Sequence, residues 1–173
     1  FKLIIFDFDG TLADSLAWFS GISDRLADEF GFDRIDKTQL ARLRRLDAAT
    51  LMRMHHVTLW KVPLIAARFR RLMGQQIAQI ALFPGVPAML ERLVRAGCDL
   101  AVVTSNSCDN VRRVLGRETA ALLSACEGGV SLAGKRAKLR KILRRSGIDP
   151  AQTIFIGDEI RDIEAARHAG ITS

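Results

Sequence analysis

One stretch near the start of the chain is the strongest indication of the fold: Ile4-Ile5-Phe6-Asp7-Phe8-Asp9-Gly10-Thr11-Leu12. Residues 2–8 form a short apolar run that predicts a buried strand, and Asp9-Gly10-Thr11 is a turn that ends it. Side chains two residues apart in an extended segment share a face, so Asp7 and Asp9 are expected to point to the same side. The stretch therefore predicts a strand that delivers two carboxylates to one place.

Strands and helices alternate again in the second half of the chain. The pattern predicts helices over 15–30, 84–96, 109–117, 135–146 and 159–169, and strands over 98–104, 124–130 and 153–156. Such repeated units are typical of an α/β fold with a doubly wound parallel sheet. The chain stops at Ile171-Thr172-Ser173, where another strand would begin, so we expect the sheet to lack an edge strand.

A helical insertion interrupts this pattern after the first strand. Residues 34–82 look entirely helical, with apolar and basic positions interleaved. We therefore predict a discontinuous α/β core over 1–13 and 84–173, and a helical cap over 14–83. Pro84 is expected in the first turn of the helix that follows the insertion.

Composition limits the class of protein. The chain has 173 residues, of which 49% are hydrophobic and 26% charged, and this is a globular composition. No apolar run approaches the roughly 20 residues of a membrane helix, and residues 1–6 are too short for a signal peptide. The three cysteines (Cys98, Cys108 and Cys126) form no C-x-x-C pair, which favours reduced thiols and a cytoplasmic location over a disulfide framework or a zinc site.

Four polar clusters fall at the predicted carboxyl ends of strands or at a helix start, where such sheets bind ligands. They are Asp7 with Asp9, Thr104-Ser105-Asn106, Lys135, and Asp158 with Asp162. Carboxylates that close to one another repel unless a hard cation lies between them, and a site of oxygen ligands suits Mg²⁺. A lysine and Mg²⁺ together would neutralise a bound phosphate, so that an ionised aspartate could attack phosphorus.

These motifs together resemble the haloacid dehalogenase superfamily. Asp7-Phe8-Asp9-Gly10-Thr11-Leu12 is similar to its first signature, and Val102-Val103-Thr104 to its second, a hydrophobic strand that ends in Ser or Thr. Lys135 stands where the third-motif lysine falls, and Gly157-Asp158-Glu159-Ile160-Arg161-Asp162 resembles the fourth, G-D-x-x-x-D. The order of the four motifs is the family's order, and they span the whole chain.

The resemblance implies a role for each matching residue. Asp7 would be the nucleophile that forms an aspartyl-phosphate, and Asp9 the general acid and base. Mg²⁺ would be held by the Asp7 carboxylate, the Asp9 backbone carbonyl and the Asp158 carboxylate, with Asp162 as an outer ligand or as the residue that orients Lys135. The transferring phosphoryl oxygens would be bound by the motif-two loop and by the turn after the first strand. The residues expected in these two segments are Thr104, Ser105, Asn106, Gly10 and Thr11. Lys135, at the third motif, would also bind the phosphate.

Within the superfamily that the chain resembles, an acid at position 9 distinguishes phosphate ester chemistry from dehalogenation. Haloacid dehalogenases proper lack it because a halide leaves without a proton, whereas an alkoxide needs one, and such acid help contributes about 10²–10⁴-fold. The insertion after Asp14-Ser15 resembles the helical cap of the phosphoglycolate phosphatase-like branch. The expected substrate is a small anionic phosphorylated metabolite, such as 2-phosphoglycolate, a sugar phosphate or a nucleotide monophosphate.

Several alternatives stay open at this point. Lys138 lies one turn after Lys135 and could replace it as the lysine of the site. Glu159 is interpreted as a helix-start residue and not as a metal ligand. Residues 129–135 match the nucleotide-binding pattern G-x-x-x-x-G-K, but we interpret this match as coincidence because Arg136 stands where Ser or Thr should follow. Adjacent His55 and His56 point to different helix faces and do not suggest a metal site. A sugar phosphomutase or a catalytically silent module would share the core motifs.

The charge balance raises one more possibility. The net charge is +7, and ten Arg or Lys against two Asp lie between Arg34 and Arg71. The sequence does not favour nucleic acid as a partner, because no recognisable binding motif accompanies this charge. Arginines in 42–45 and 68–71 are instead candidates for pairing with an anionic substrate group, and the sequence does not indicate which of them would do so.

Overall fold

The computed structural model describes residues 1–39, 48–129 and 134–173. In chain order its elements are β1 Leu3–Phe6, β2 Ala13–Asp14, α1 Leu16–Phe30, α2 Ala48–Met54, α3 Val62–Gln75, β3 Ala81–Leu82, α4 Val86–Arg95, β4 Asp99–Val103, α5 Cys108–Ala120, β5 Leu123–Glu127, α6 Lys135–Ser146, β6 Thr153–Ile156 and α7 Ile160–Ala169. Short 3₁₀ turns lie at Lys37–Gln39, Leu59–Lys61, Ile77–Gln79 and Pro150–Gln152.

The central sheet has four parallel strands in the order β5-β4-β1-β6. β1 pairs with β4 on one side and with β6 on the other, and Leu3 lies opposite both Asp99 and Thr153. The chain steps from β1 outward through β4 to β5 and then crosses back to β6 on the other side of β1. This reversal at β1 confirms the predicted doubly wound α/β fold and creates the switch point at which such sheets bind ligands.

Both faces of the sheet are covered, which is why β1 is an unbroken apolar run. Leu3 and Ile5 join the apolar cluster formed with the helices α6 and α7. Ile4 and Phe6, on the opposite face, join a second cluster that includes residues of α1, α3, α4 and α5. The helices α1 and α3, which lie in the predicted cap segment, therefore pack into the same apolar cluster as one face of the sheet.

The inserted segment enters and leaves through a small antiparallel pair. Ala13 of β2 lies opposite Leu82 of β3, and Asp14 lies opposite Ala81. The prediction that 34–82 is entirely helical is thus wrong at its end, because the returning chain pairs its backbone with the outgoing chain. It is also wrong at 34–36 and 55–58, which are not helical, and its residues 40–47 lie outside the described residues. The division into a core and a cap over 14–83 stays a prediction.

Other element boundaries agree closely with the sequence pattern, with three exceptions. β5 covers Leu123–Glu127, whereas the predicted strand covered 124–130. α4 begins at Val86 and carries Pro87 in its first turn, so Pro84 precedes the helix instead of opening it. α5 extends beyond its predicted end to Ala120, with a break in helical geometry at Gly116 (φ 75°). Thr172 makes one parallel bridge with Ile154, at the edge of β6 where the sequence predicted a further strand. Within the three described ranges, no helix is long and apolar enough to cross a membrane.

The structure contradicts the prediction of reduced cysteines. Cys108, at the start of α5, and Cys126, in β5, form a disulfide across a Cα–Cα distance of 6.0 Å, and Cys98 is free. The spacing of 18 residues contains no pattern that predicts a pair, since only the packing of α5 on β5 brings the two together. The number and spacing of the cysteines therefore do not indicate a reducing compartment.

Reduction of this disulfide should destabilise the protein. A bridge over a loop of this size stabilises a fold by about 2–4 kcal/mol, mainly because it restricts the unfolded chain. Urea denaturation with and without dithiothreitol measures the difference, and Cys98→Ala, which keeps the bridge, should show the same difference. Titration of three thiols in denaturant without reductant would show that the bridge does not form.

Candidate active site

The carboxyl ends of the four parallel strands form the edge of the sheet at which the candidate site lies. The backbone N–H of Asp7, just after β1, donates to the carbonyl of Ile156 at the end of β6 over 2.8 Å. On the other side, the Thr104 N–H, just after β4, donates to the carbonyl of Glu127 at the end of β5 over 3.0 Å. These backbone hydrogen bonds align the carboxyl ends of neighbouring strands, so the residues that follow the strands meet at one edge of the sheet.

A buried lysine lies between two of the acidic residues. Lys135, the first residue of α6, places its ammonium 2.8 Å from Asp7 Oδ2 and 2.5 Å from Asp162 Oδ1. Only 12% of the Lys135 side chain is exposed, and the side chains of Asp7 and Asp162 are still less exposed. Carboxylate oxygens of Asp7, Asp158 and Asp162 all lie within 4.8 Å of one another. The structure thus brings these four predicted site residues together.

The turn before α7 explains the G-D-x-x-x-D spacing. Glu159 is the N-cap of α7, and its side chain and that of Asp162 accept each other's backbone N–H in a capping box. A side chain on Gly157 would overlap the Asp162 carboxylate, so only glycine fits there. The glycine and the cap together hold Asp162 over the strand ends, and Glu159 has the helix-start position that the sequence indicated.

The two candidate lysines have different partners. Lys138 Nζ lies 2.8 Å from Glu127 Oε2, and Lys141 Nζ lies 2.6 Å from Glu127 Oε1. Lys138 is therefore directed toward the end of β5, while Lys135 is directed into the acidic cluster. The geometry favours Lys135 as the lysine of the site.

Asp9 is held apart from the acidic cluster. Its Oδ2 accepts a hydrogen bond from Asn106 Nδ2 over 3.1 Å, and the Ser15 side chain also hydrogen-bonds to it. Asn106 is fully buried and is oriented by Asn110, whose Nδ2 donates to Asn106 Oδ1 over 2.9 Å. No pattern in the sequence points to a role for Ser15 or Asn110. Ser15 directly follows Asp14 at the start of the predicted cap, but nothing in the sequence indicates a contact across the site.

The remaining predicted residues line the same edge. Thr104 is fully buried, and its Oγ1 accepts the backbone N–H of Asn106 over 3.0 Å. The Thr11 hydroxyl donates to Asp158 Oδ1 over 3.2 Å. Gly10 takes a left-handed conformation (φ 80°), and its N–H donates to the Ala13 carbonyl. Ser105 is exposed, and its carbonyl accepts a hydrogen bond from Arg70.

Burial controls the charges of the site. Burial raises the pKa of Asp7 to about 7, against the opposing effect of the Lys135 ammonium. Burial also raises the pKa of Asp9, although hydrogen bonds from Ser15 and Asn106 partly offset it. For Lys135, burial acts to lower the pKa, but the nearby carboxylates of Asp7 and Asp162 outweigh it and raise the pKa. The lysine therefore stays charged, whereas Asp7 titrates near neutral pH.

The donor set fits a magnesium ion. The cluster of Asp7, Asp158 and Asp162 offers only carboxylate oxygens, which are the ligands that hard cations prefer. Three carboxylates and the Lys135 ammonium leave a formal charge of −2, which one divalent cation balances. The Asp9 carboxylate is not one of the three in this cluster, and the assignment of its backbone carbonyl to a metal stays a prediction.

Some sequence features lie outside the described residues or away from the site. Residues 130–133 of the G-x-x-x-x-G-K match and the arginines of 42–45 belong to segments that are not described. His56 is exposed and pairs with Asp33 Oδ2 over 2.7 Å. His56 therefore lies at the surface.

Comparison with known proteins agrees with this geometry. The family described as haloacid dehalogenase-like hydrolase matches residues 4–173. The phosphoglycolate phosphatase of Synechococcus elongatus is 37% identical over 171 residues, which cover 98% of this chain and 81% of the relative. The N-acetylmuramic acid 6-phosphate phosphatase of Pseudomonas aeruginosa is 24% identical over 98% of this chain and 78% of its own length.

Solved structures show the same fold. A candidate phosphoglycolate phosphatase from Lactobacillus plantarum superposes with a TM-score of 0.81 at 20% identity, covering 99% of this chain and 84% of that one. CbbY from Rhodobacter sphaeroides, in complex with phosphate, has a TM-score of 0.75 at 22% identity, covering 98% of this chain and 83% of that one. The chain therefore belongs to the haloacid dehalogenase-like hydrolases. Within that family it belongs to the phosphoglycolate phosphatase-like branch, and it is a phosphoric monoester hydrolase.

The pKa of Asp7 leads to a testable property of the metal site. Below pH 7 the Asp7 carboxyl holds a proton that a cation must displace, so Mg²⁺ affinity should fall as the pH drops through 7. Well below that pKa the loss approaches tenfold for each pH unit, or about 1.4 kcal/mol. Titration calorimetry with Mg²⁺ at pH 6 and pH 8 measures this, and equal affinities at the two values would contradict it. Asp158→Asn should weaken binding at both values.

Proposed function

We propose that the chain is a Mg²⁺-dependent phosphatase that hydrolyses a small phosphomonoester through an aspartyl-phosphate on Asp7. The observation that supports it most strongly is the Lys135 ammonium between Asp7 and Asp162, beside Asp158. The Lys135 ammonium, together with a divalent cation on the carboxylates, would supply positive charge where a phosphate dianion binds, and the Asp7 carboxylate lies beside it as a nucleophile.

In the first half of the reaction, an Asp7 carboxylate oxygen attacks phosphorus. The bond from phosphorus to the substrate's ester oxygen breaks, and that oxygen takes a proton from Asp9 as the alcohol leaves. The raised pKa of Asp9 suits this step, because a buried carboxyl more readily holds a proton to donate. The hydrogen bond from Asn106 fixes the direction in which the Asp9 carboxyl points.

In the second half, water attacks the phosphorus of the aspartyl-phosphate. Asp9, now ionised, accepts a proton from that water, the bond between phosphorus and the Asp7 oxygen breaks, and inorganic phosphate leaves. The Lys135 ammonium, the Thr104 hydroxyl and the Ser105 N–H are the groups that we assign to the phosphoryl oxygens. Asp7, Asp158 and the Asp9 backbone carbonyl would hold Mg²⁺, with Asp162 outside them; when bound, the ion offsets negative charge on the transferring group.

The names of the relatives support a small substrate with a second acidic group. Phosphoglycolate and N-acetylmuramic acid 6-phosphate each carry one phosphomonoester and one carboxylate. We therefore take 2-phosphoglycolate as the first compound to test. The cap helices α1 and α3, which pack against the sheet beside the site, would limit the size of the alcohol group.

The direct test is phosphate release from p-nitrophenyl phosphate and 2-phosphoglycolate. We expect turnover with Mg²⁺, none with EDTA, and a loss of at least about 10³-fold in kcat for Asp7→Asn, because the amide is not a nucleophile. Unchanged turnover in EDTA or in Asp7→Asn would contradict the mechanism.

The two lysines provide a matched pair of variants on one helix. Lys135→Met removes the charge between Asp7 and Asp162 and should lower kcat/KM by about 10²–10³-fold. Lys138→Met removes the same charge one turn away, where Lys141 still pairs with Glu127, and should leave kcat/KM nearly unchanged. Equal losses in the two variants would show that general basic charge, and not the position of Lys135, supports catalysis.

A further inference from the structure

Three arginines close together on the cap helix α3 have different surroundings. Arg68 pairs with Glu29 of α1, its Nε lying 2.9 Å from Glu29 Oε1. Arg71 is exposed. Arg70 is partly buried and reaches across to the core, where its Nη1 donates to the carbonyl of Ser105 over 3.2 Å. Of the three, Arg70 is therefore the one directed toward the candidate active site.

The hydrogen bond to Ser105 places the Arg70 guanidinium next to residues 104–106, the loop that we assign to phosphoryl binding. Ser105 is the residue whose N–H we assign to the phosphoryl group, and the N and O atoms of one residue lie only about 3–4 Å apart. A guanidinium has five N–H donors, of which the bond to Ser105 uses one. Among the described residues, no carboxylate lies within ion-pair distance of Arg70. The side chain thus brings a positive charge to the loop without an acidic partner in that part of the chain.

The backbone at Arg70 is fixed relative to the general acid. Asn110 Nδ2 donates to the Arg70 carbonyl over 3.0 Å and to Asn106 Oδ1 over 2.9 Å, and Asn106 in turn donates to Asp9. Gly74 lies one turn after Arg70 on α3, and its carbonyl accepts a hydrogen bond from Nη1 of Arg113, on α5, over 2.8 Å. These bonds hold α3 at a defined distance from the reacting groups, so the Arg70 side chain starts from a set position.

An open pocket of about 320 Å³ adjoins Arg70. Its lining also includes Ser107, Asp109 and Gly128. The Asp109 carboxylate is paired with Arg112 over 3.4 Å, which offsets its negative charge. The pocket has room for the alcohol part of a small substrate whose phosphate is bound by the neighbouring loop, residues 104–106.

We propose that Arg70 determines substrate specificity by binding a carboxylate on the alcohol part of the substrate. This inference rests on the proposed phosphatase function and adds the residue that reads the second acidic group. Arginine suits the task because its planar fork of donors pairs with both oxygens of a carboxylate. The substrate class is then a phosphomonoester of a small hydroxy acid, in preference to an uncharged phosphorylated alcohol.

The test compares two substrates that differ only in this charge: 2-phosphoglycolate and its neutral amide, phosphoglycolamide. The wild-type protein should prefer the acid. Arg70→Gln should lower kcat/KM for the acid by about 10- to 100-fold and change that for the amide little, because the lost bond is to a charged group. Arg71→Gln, which removes the same charge from the same helix, should change neither. Arg70→Lys keeps the charge without the fork and should lose part of the preference.

The possible outcomes separate this inference from the proposed function. Loss of activity on both substrates in Arg70→Gln, or on neither, would overturn the specificity role. If Arg70→Gln fails to fold, the wild-type ratio decides, since equal kcat/KM for the acid and the amide would contradict the inference. If the wild-type protein hydrolyses neither these compounds nor p-nitrophenyl phosphate, the proposed phosphatase function itself fails.

Discussion

The structure of the site depends on one buried ammonium group. Asp7, Asp158 and Asp162 lie so close together that their mutual repulsion, in a region shielded from water, would favour protonation or separation of the carboxyls. The Lys135 side chain offsets this repulsion by pairing with Asp7 and Asp162 at once. Burial of an ion pair carries a large desolvation cost, so this arrangement is better explained by chemistry at the site than by a gain in stability.

Several local features of the sequence serve to place that ammonium. α6 begins at Lys135, so the side chain leaves the first turn of the helix toward the strand ends. On the other side of β1, Gly157 leaves space for the Asp162 carboxylate, and the capping box with Glu159 fixes it at the start of α7. The parallel pairing of β1 with β6 brings Asp7 alongside this turn. The lysine and its two partners thus come from three separate segments that only the doubly wound fold brings together.

Much of this arrangement could be predicted from the sequence because it depends on local patterns. The apolar run before Asp7 and the spacing of Gly157, Asp158 and Asp162 indicated the strand ends, and Gly147 correctly marked the end of α6. The features that the sequence did not reveal depend on contacts between distant segments. The Cys108–Cys126 bridge, the β2–β3 pair and the hydrogen bonds that link Asn110 to both Asn106 and Arg70 have no local signature. The choice between Lys135 and Lys138 likewise needed the direction of each side chain, since both lie in the first turns of one helix.

In the proposed reaction Asp7, held by Lys135, forms a covalent acyl phosphate during turnover. The most direct measurement is to quench the protein during turnover of 2-phosphoglycolate with Mg²⁺, reduce it with borohydride and map its peptides by mass spectrometry. Reduction converts an aspartyl-phosphate to homoserine, and we expect this change at Asp7 alone. An active sample in which Asp7 remains unmodified, or in which another residue carries the change, would rule out Asp7 as the nucleophile.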